Sequence, residues 1–249
     1  MFNTEYITQL LLGAVAVLIT LTVHEYAHGY AAYKLGDSTA KSYGRLSLNP
    51  LKHLDPFGAV CMLFFHFGWA KPVPINPRNF NRPRRDFAIT AAAGPLSNIV
   101  MGFFTAPLFL LFANLFRYSE IPLLNSIMTN TLLFVYTFFR INIGLGIFNL
   151  LPIPPFDGSR IVNVLLPPKA YFGIMKYERF IYWGVVAWLL LGQNVYSFLV
   201  SIPFIGASPV LSGVASVFAL SMHISSLVDL IAEGMLAVWG LIPFLHLTF

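Results

Sequence analysis

Charge is missing from this chain over distances that no water-soluble fold tolerates. Phe180 to Val228 runs 49 residues, and Phe87 to Phe116 runs 30, without one Asp, Glu, Lys or Arg. Of all residues 57% are apolar and 10% charged, against about 45–50% and about 25% in a typical soluble domain. Too few polar residues remain to cover the core such runs would make. A lone cysteine, Cys61, excludes a disulfide scaffold, and the apolar content excludes disorder and collagen. The chain reads as an integral membrane protein.

The uncharged runs divide it. Tyr6 to Val23 is a first span, with helix-favouring residues continuing to about Lys34; it lacks a signal peptide's basic start and cleavage site, so it is expected to stay in the mature protein. Lys34 to Asp86 is polar overall and holds 9 of the 15 basic residues. Inside it Phe57 to Ala70 is an apolar island too short to cross a bilayer, which favours a re-entrant or interfacial segment. Lys71-Pro72-Val73-Pro74-Ile75-Asn76-Pro77 cannot be helix and should be extended. Phe87–Phe116 and Ile121–Phe156 are the second and third spans, the latter ending in Pro152, Pro154 and Pro155. Phe180–Val228 is long enough for two crossings, with a break near Ser201-Ile202-Pro203 or Gly206. The expectation is an all-α polytopic fold of about five to six transmembrane helices, with a short re-entrant or β-hairpin element after the first. Residues 1–249 form one membrane-embedded domain, with a core over 6–180 and C-terminal helices over 180–249.

The net charge of +5 is then a matter of orientation rather than of nucleic acid, which is not an expected partner. With Lys34–Asp86 in the cytoplasm, Arg160, Lys169, Lys176 and Arg179 fall on the same side, leaving Arg117 outside and Arg140 within a span. The positive-inside rule favours that arrangement, with the N-terminus outside a cell membrane.

The first span ends in His24-Glu25-Tyr26-Ala27-His28. On a helix, residues four apart share a face, so both imidazoles can reach one metal. The intervening glutamate lies beside the metal without binding it, placed to take a proton from water that the metal activates. In this composition chance supplies roughly 0.003 such matches. Interfacial polarity would explain the polar character but not the pattern, and ionisable groups at membrane depth mark function. Catalytic zinc generally has three protein ligands and an open position. The third must come from the same membrane face, where the third span closes in Asn149-Leu150-Leu151-Pro152-Ile153-Pro154-Pro155-Phe156-Asp157-Gly158. Asp157 is the acidic residue there, although Asp-Gly also reads as a plain helix-ending turn. Asp55, His53 and Glu178 are weaker candidates.

With these two motifs in view, the chain resembles the site-2 protease family of intramembrane zinc metalloproteases. Gly94-Pro95-Leu96-Ser97-Asn98 in the middle span and Gly68-Trp69-Ala70-Lys71-Pro72-Val73-Pro74-Ile75-Asn76 in the loop extend the likeness. It covers roughly residues 6–180. The resemblance implies one zinc ion held by His24, His28 and Asp157, with Glu25 as general base. It also implies a membrane-associated sheet or hairpin around Phe57–Asn76, including Lys71 and Val73, that holds a single-pass membrane-protein substrate as an extended strand. Only about four polar residues, Arg117 to Glu120, separate the second and third spans, so a PDZ-like insertion is not expected.

Asn98 has two readings. It is interhelical glue next to small residues, or its amide binds substrate backbone or an oxyanion near zinc. Asn142 and Asn149 share the ambiguity. Arg140 is expected to be a buried charge with a polar partner, and His53 a structural residue of the loop. His66, His223 and His246 are read as interfacial or packing residues. Two other classes of protein could carry the same ligands. A metal transporter would be expected to continue polar ligands across the membrane, or to show an internal repeat. A catalytically silent adaptor would have no need of Glu25.

Overall fold

The computed structural model describes residues 4–65, 69–115, 121–202, 208, 220–242 and 245. Helix α1 (Thr4–Lys34) is followed by a short α2 (Thr39–Ser42) and by α3 (Pro56–Phe65). Two long helices come next, α4 (Pro83–Leu115) and α5 (Pro122–Asn149). Then come α6 (Asp157–Val162), α7 (Pro168–Ser201) and α8 (Leu220–Gly240). By length and composition α1, α4 and α5 can each cross a bilayer. They correspond to the three runs read from the sequence. The expected break after Ser201 falls at the end of α7, which the Ile202 backbone closes. His66 and His246 lie outside the described residues, as does most of the chain between α7 and α8.

The packing reverses the soluble pattern. Ile7, Leu11, Val15 and Ile19 of α1 point outward, as do Leu96, Val100, Phe104 and Leu108 of α4. Both sets repeat every four residues, which makes one helix stripe. Polar side chains occupy the inside: Thr20, Asn98 and Asn142 are fully buried. The Asn98 amide donates to the Thr20 carbonyl (3.3 Å) and to Asn142 Oδ1 (3.2 Å), and the Asn142 amide donates to Thr20 Oγ1 (3.0 Å). One network thus ties α1, α4 and α5 together where lipid offers nothing to hydrogen-bond. Beside it Phe139, Ile143 and Ile147 pack with Ala106, and Val228 and Ala232 of α8 close the cluster. Trp239 of α8 also donates to the Phe103 carbonyl (2.9 Å), and Arg140 of α5 pairs with Asp229. Arg140 therefore has the polar partner that a charge in a span requires.

The segment after α1 differs from a β-hairpin. It contains the ten-residue helix α3, and among the described residues sheet-like pairing is confined to one antiparallel bridge, Leu54 with Ala70. Asp55 starts α3 by accepting from the Gly58 amide (2.8 Å), which satisfies a donor that the first turn leaves open. Downstream, Lys71 to Asn76 is extended, as alternating prolines demand. Arg84 of α4 donates to the carbonyls of Asn163 (3.3 Å) and Leu166 (2.6 Å), tying the start of α4 to the chain that leaves α6.

Candidate active site

His24 and His28 lie one turn apart on the buried face of α1, with 4% and 7% of their surface exposed. Each Nδ1 is committed. His24 Nδ1 donates to Asn98 Oδ1 (2.6 Å), and His28 Nδ1 donates to the Thr90 carbonyl (2.8 Å), both acceptors on α4. With Nδ1 donating, each Nε2 is the ring nitrogen turned toward the cluster, and in a neutral imidazole it carries the lone pair. The two Nε2 atoms face each other at 3.0 Å. Asp157 Oδ2 joins them at 3.1 Å from His24 and 3.2 Å from His28.

Two ring nitrogens and a carboxylate oxygen converge here, a set that a shared proton or a metal cation can hold together, and only a metal can be bound by all three at once. Ligand atoms about 2.0–2.1 Å from a tetrahedral centre lie about 3.3 Å apart, close to the spacing seen. The donor set, two imidazoles and a carboxylate, is one that zinc takes in catalytic sites. His24, His28 and Asp157 are the metal-competent group among the described residues.

Local sequence explains the convergence. The turn after α5 folds back as the Phe156 amide donates to the Ile153 carbonyl (3.0 Å) and the Ser159 amide donates to the Phe156 carbonyl (3.1 Å). Its prolines cannot continue α5, so Asp157 opens α6 facing α1. Gly94 supplies the room: a Cβ at that position would lie against the Nε2 atoms of both histidines.

Glu25 is half-buried beside the histidines. Its Oε2 accepts from the Val73 amide (2.7 Å), so the extended segment touches the helix at that carboxylate. Of the weaker ligand candidates, Asp55 caps α3, Glu178 pairs with Arg160 (2.6 Å), and His53 donates to the Ser47 carbonyl (2.7 Å).

The expected substrate contacts have separate placements. Asn98 has its oxygen on His24 and its amide on Thr20 and Asn142. Val73 is buried, and its amide is engaged by Glu25. Lys71 has an exposed side chain, while its amide donates to the His53 carbonyl (2.9 Å). Asn149 is half-exposed and donates to Leu145 of its own helix (3.1 Å). Sequence reading missed Asp37, which is fully buried outside the spans. It accepts from the Thr39 amide (3.1 Å) and hydroxyl (2.5 Å), the Asn76 amide (2.7 Å) and Asn79 Nδ2 (2.7 Å). The Gly36-Asp37 turn was the available signal, since Asp favours such positions.

A bundle of apolar helices with a buried His2Asp centre and an adjacent glutamate defines a membrane metalloprotease. The family model of peptidase family M50 matches residues 12–191, and the chain belongs to that family, the site-2 proteases. It is 40% identical over 177 residues to "Putative zinc metalloprotease YwhC" of Bacillus subtilis (strain 168), covering 71% of this chain and 78% of that protein. It is 25% identical over 194 residues to "Putative zinc metalloprotease Rip2" of Mycolicibacterium smegmatis, covering 75% and 68%. No solved structure matches.

Proposed function

We propose that this zinc metalloprotease cuts peptide bonds of single-pass membrane proteins near the cytoplasmic face of the plasma membrane, with Glu25 as general base. The observation that carries this reading is the convergence of His24, His28 and Asp157 lone pairs one residue from Glu25. Those three side chains would hold one zinc ion per chain. When bound, zinc supplies Lewis acidity that acidifies water and polarises a scissile carbonyl. Glu25 takes the proton from water and passes it to the leaving amine. Its Oε2 accepts the Val73 amide, which orients the carboxylate, and we assign the proton to Oε1.

Two features support the location. His24 lies 20 residues into α1, about 30 Å along the helix at 1.5 Å per residue, so the site is near one membrane face where water has access. Most basic residues belong to that side, which makes it cytoplasmic by the positive-inside rule and places the N-terminus outside. A helical substrate must unwind there, because its carbonyls are otherwise satisfied within the helix. An extended substrate strand alongside residues 57–76 would hold it open, with Lys71 and Asn149 the exposed polar groups at hand.

The test is cleavage of a single-pass substrate in membranes containing wild type or Glu25→Gln, with mass spectrometry of the peptides that accumulate. Fragments cut near the cytoplasmic face with wild type, and absent with Glu25→Gln, support the reading. Equal cleavage by both would sink it.

A further inference from the structure

The extended strap from Lys71 to Asn79 is held at its start, middle and end. Upstream, Ala70 bridges Leu54, and Arg45 Nη2 donates to the Lys71 carbonyl (2.5 Å). In the middle, the Val73 amide donates to Glu25 (2.7 Å), and the Val73 side chain packs within 3.2 Å of where a Cβ on Gly29 would stand. Downstream, Asn76 and Asn79 donate to Asp37. Asp37 lies three residues beyond the end of α1, the helix that carries Glu25. Strap and general base are therefore registered against the same helix, at Glu25 and again at the turn beyond its end.

Stiffness turns this into a lever. Pro72, Pro74 and Pro77 fix φ at three of the seven positions from Lys71 to Pro77. A displacement at Asn76 then carries to Val73, three residues or about 10 Å away in extended chain. Only Lys71, Val73, Ile75 and Asn76 offer a backbone N–H between Lys71 and Pro77, and Val73 is the one that meets Glu25.

We propose that Asp37 is a positioning residue for the reaction: by pinning Asn76 and Asn79 it keeps the Val73 amide on Glu25 Oε2, leaving Oε1 to move the proton. The inference rests on Glu25 being the general base. It assigns to a loop carboxylate outside the ligand set a role in turnover without a role in metal binding.

The experiment uses the full chain in detergent, comparing Asp37→Asn, Asn79→Ala and Val73→Pro, which deletes the amide directly, with wild type. Zinc content, kcat, KM and amide hydrogen exchange are measured on each. Expected are full zinc content and a kcat lower by about ten- to hundredfold, the scale of a small misplacement of a reacting group; KM is read separately, because the strap also flanks the substrate strand. Exchange in the 70–79 segment should rise while α1 and α4 exchange as in wild type. Asp37→Asn combined with Val73→Pro should be no slower than the worse single variant, since both act through one contact. If Asp37→Asn fails to fold, Asn79→Ala decides. A loosened strap with undiminished kcat, losses that multiply in the double variant, or loss of zinc would each overturn the proposal. Normal turnover by Glu25→Gln breaks the general-base reading instead, whereas an inactive Glu25→Gln beside a full-speed Asp37→Asn breaks only this inference.

Discussion

The two halves of the active site are built from different materials. The proposed metal ligands are set by helices: α1 carries both histidines, α4 supplies their acceptors Asn98 and Thr90, and α6 opens on Asp157. The glutamate between those histidines takes its hydrogen bond from an extended strap, and Asp37 and Arg45 hold the strap in place. A helix ligand moves only if the bundle moves, because its neighbours are packed on several sides. A strap residue moves when one anchor is lost. The difference implies that metal binding and turnover can be damaged separately, from different parts of the sequence.

The largest effect tests the helical half. His24→Ala or Asp157→Ala should lose both zinc and all detectable cleavage, since two ligands do not make a catalytic zinc site; metal analysis of purified variants checks this. Gly94→Ala adds a methyl group where the two Nε2 atoms converge. It should lower zinc occupancy severely while leaving the helical circular dichroism unchanged, because alanine suits a helix. Asn98→Leu keeps all three ligands but removes the acceptor for His24 Nδ1. Zinc affinity should weaken by about 10–100-fold, the usual cost of deleting such a support, and competition with a chelator reads it directly. A variant of Asn98 with wild-type zinc affinity would blur the contrast between the two halves.

The smallest effect probes the strap. Burial pushes the Asp37 carboxyl up, but the donors Thr39, Asn76 and Asn79 outweigh it and hold the group below its ordinary value. A depressed carboxylate stabilises the fold at every pH above its unfolded value and loses that contribution as the pH falls through the folded one. Protection of the strap amides should stay constant from neutral pH down to about pH 4, the ordinary carboxylate range. Below that it should decline, and Asp37→Asn should abolish the dependence.

The convergence of His24, His28 and Asp157 was readable from sequence because chemistry and spacing coincide there. His24 and His28 are four apart on a helix, and the charge topology brought the end of α5, with Asp157, to the same side. The uncharged runs likewise gave α1, α4 and α5, since lipid exposure demands apolar length and little else. Asn98 showed that it mattered without showing how. An asparagine in an apolar span can face a histidine, a neighbouring helix or a substrate, and only packing decides which. The loop was least legible: an apolar island of this length fits a re-entrant segment or a hairpin, and its described part through Phe65 is the helix α3. Asp37 went unread because its importance lies in four donors, two of them from residues far along the chain.

The separation of metal from turnover is tested most directly by one preparation of Glu25→Gln, measured for zinc content and for substrate cleavage. Zinc should be bound as in wild type, with cleavage lower by about 10²–10⁴-fold, the range a general base contributes. Cleavage at the wild-type rate, or an enzyme that is inactive because its zinc is gone, would contradict that separation.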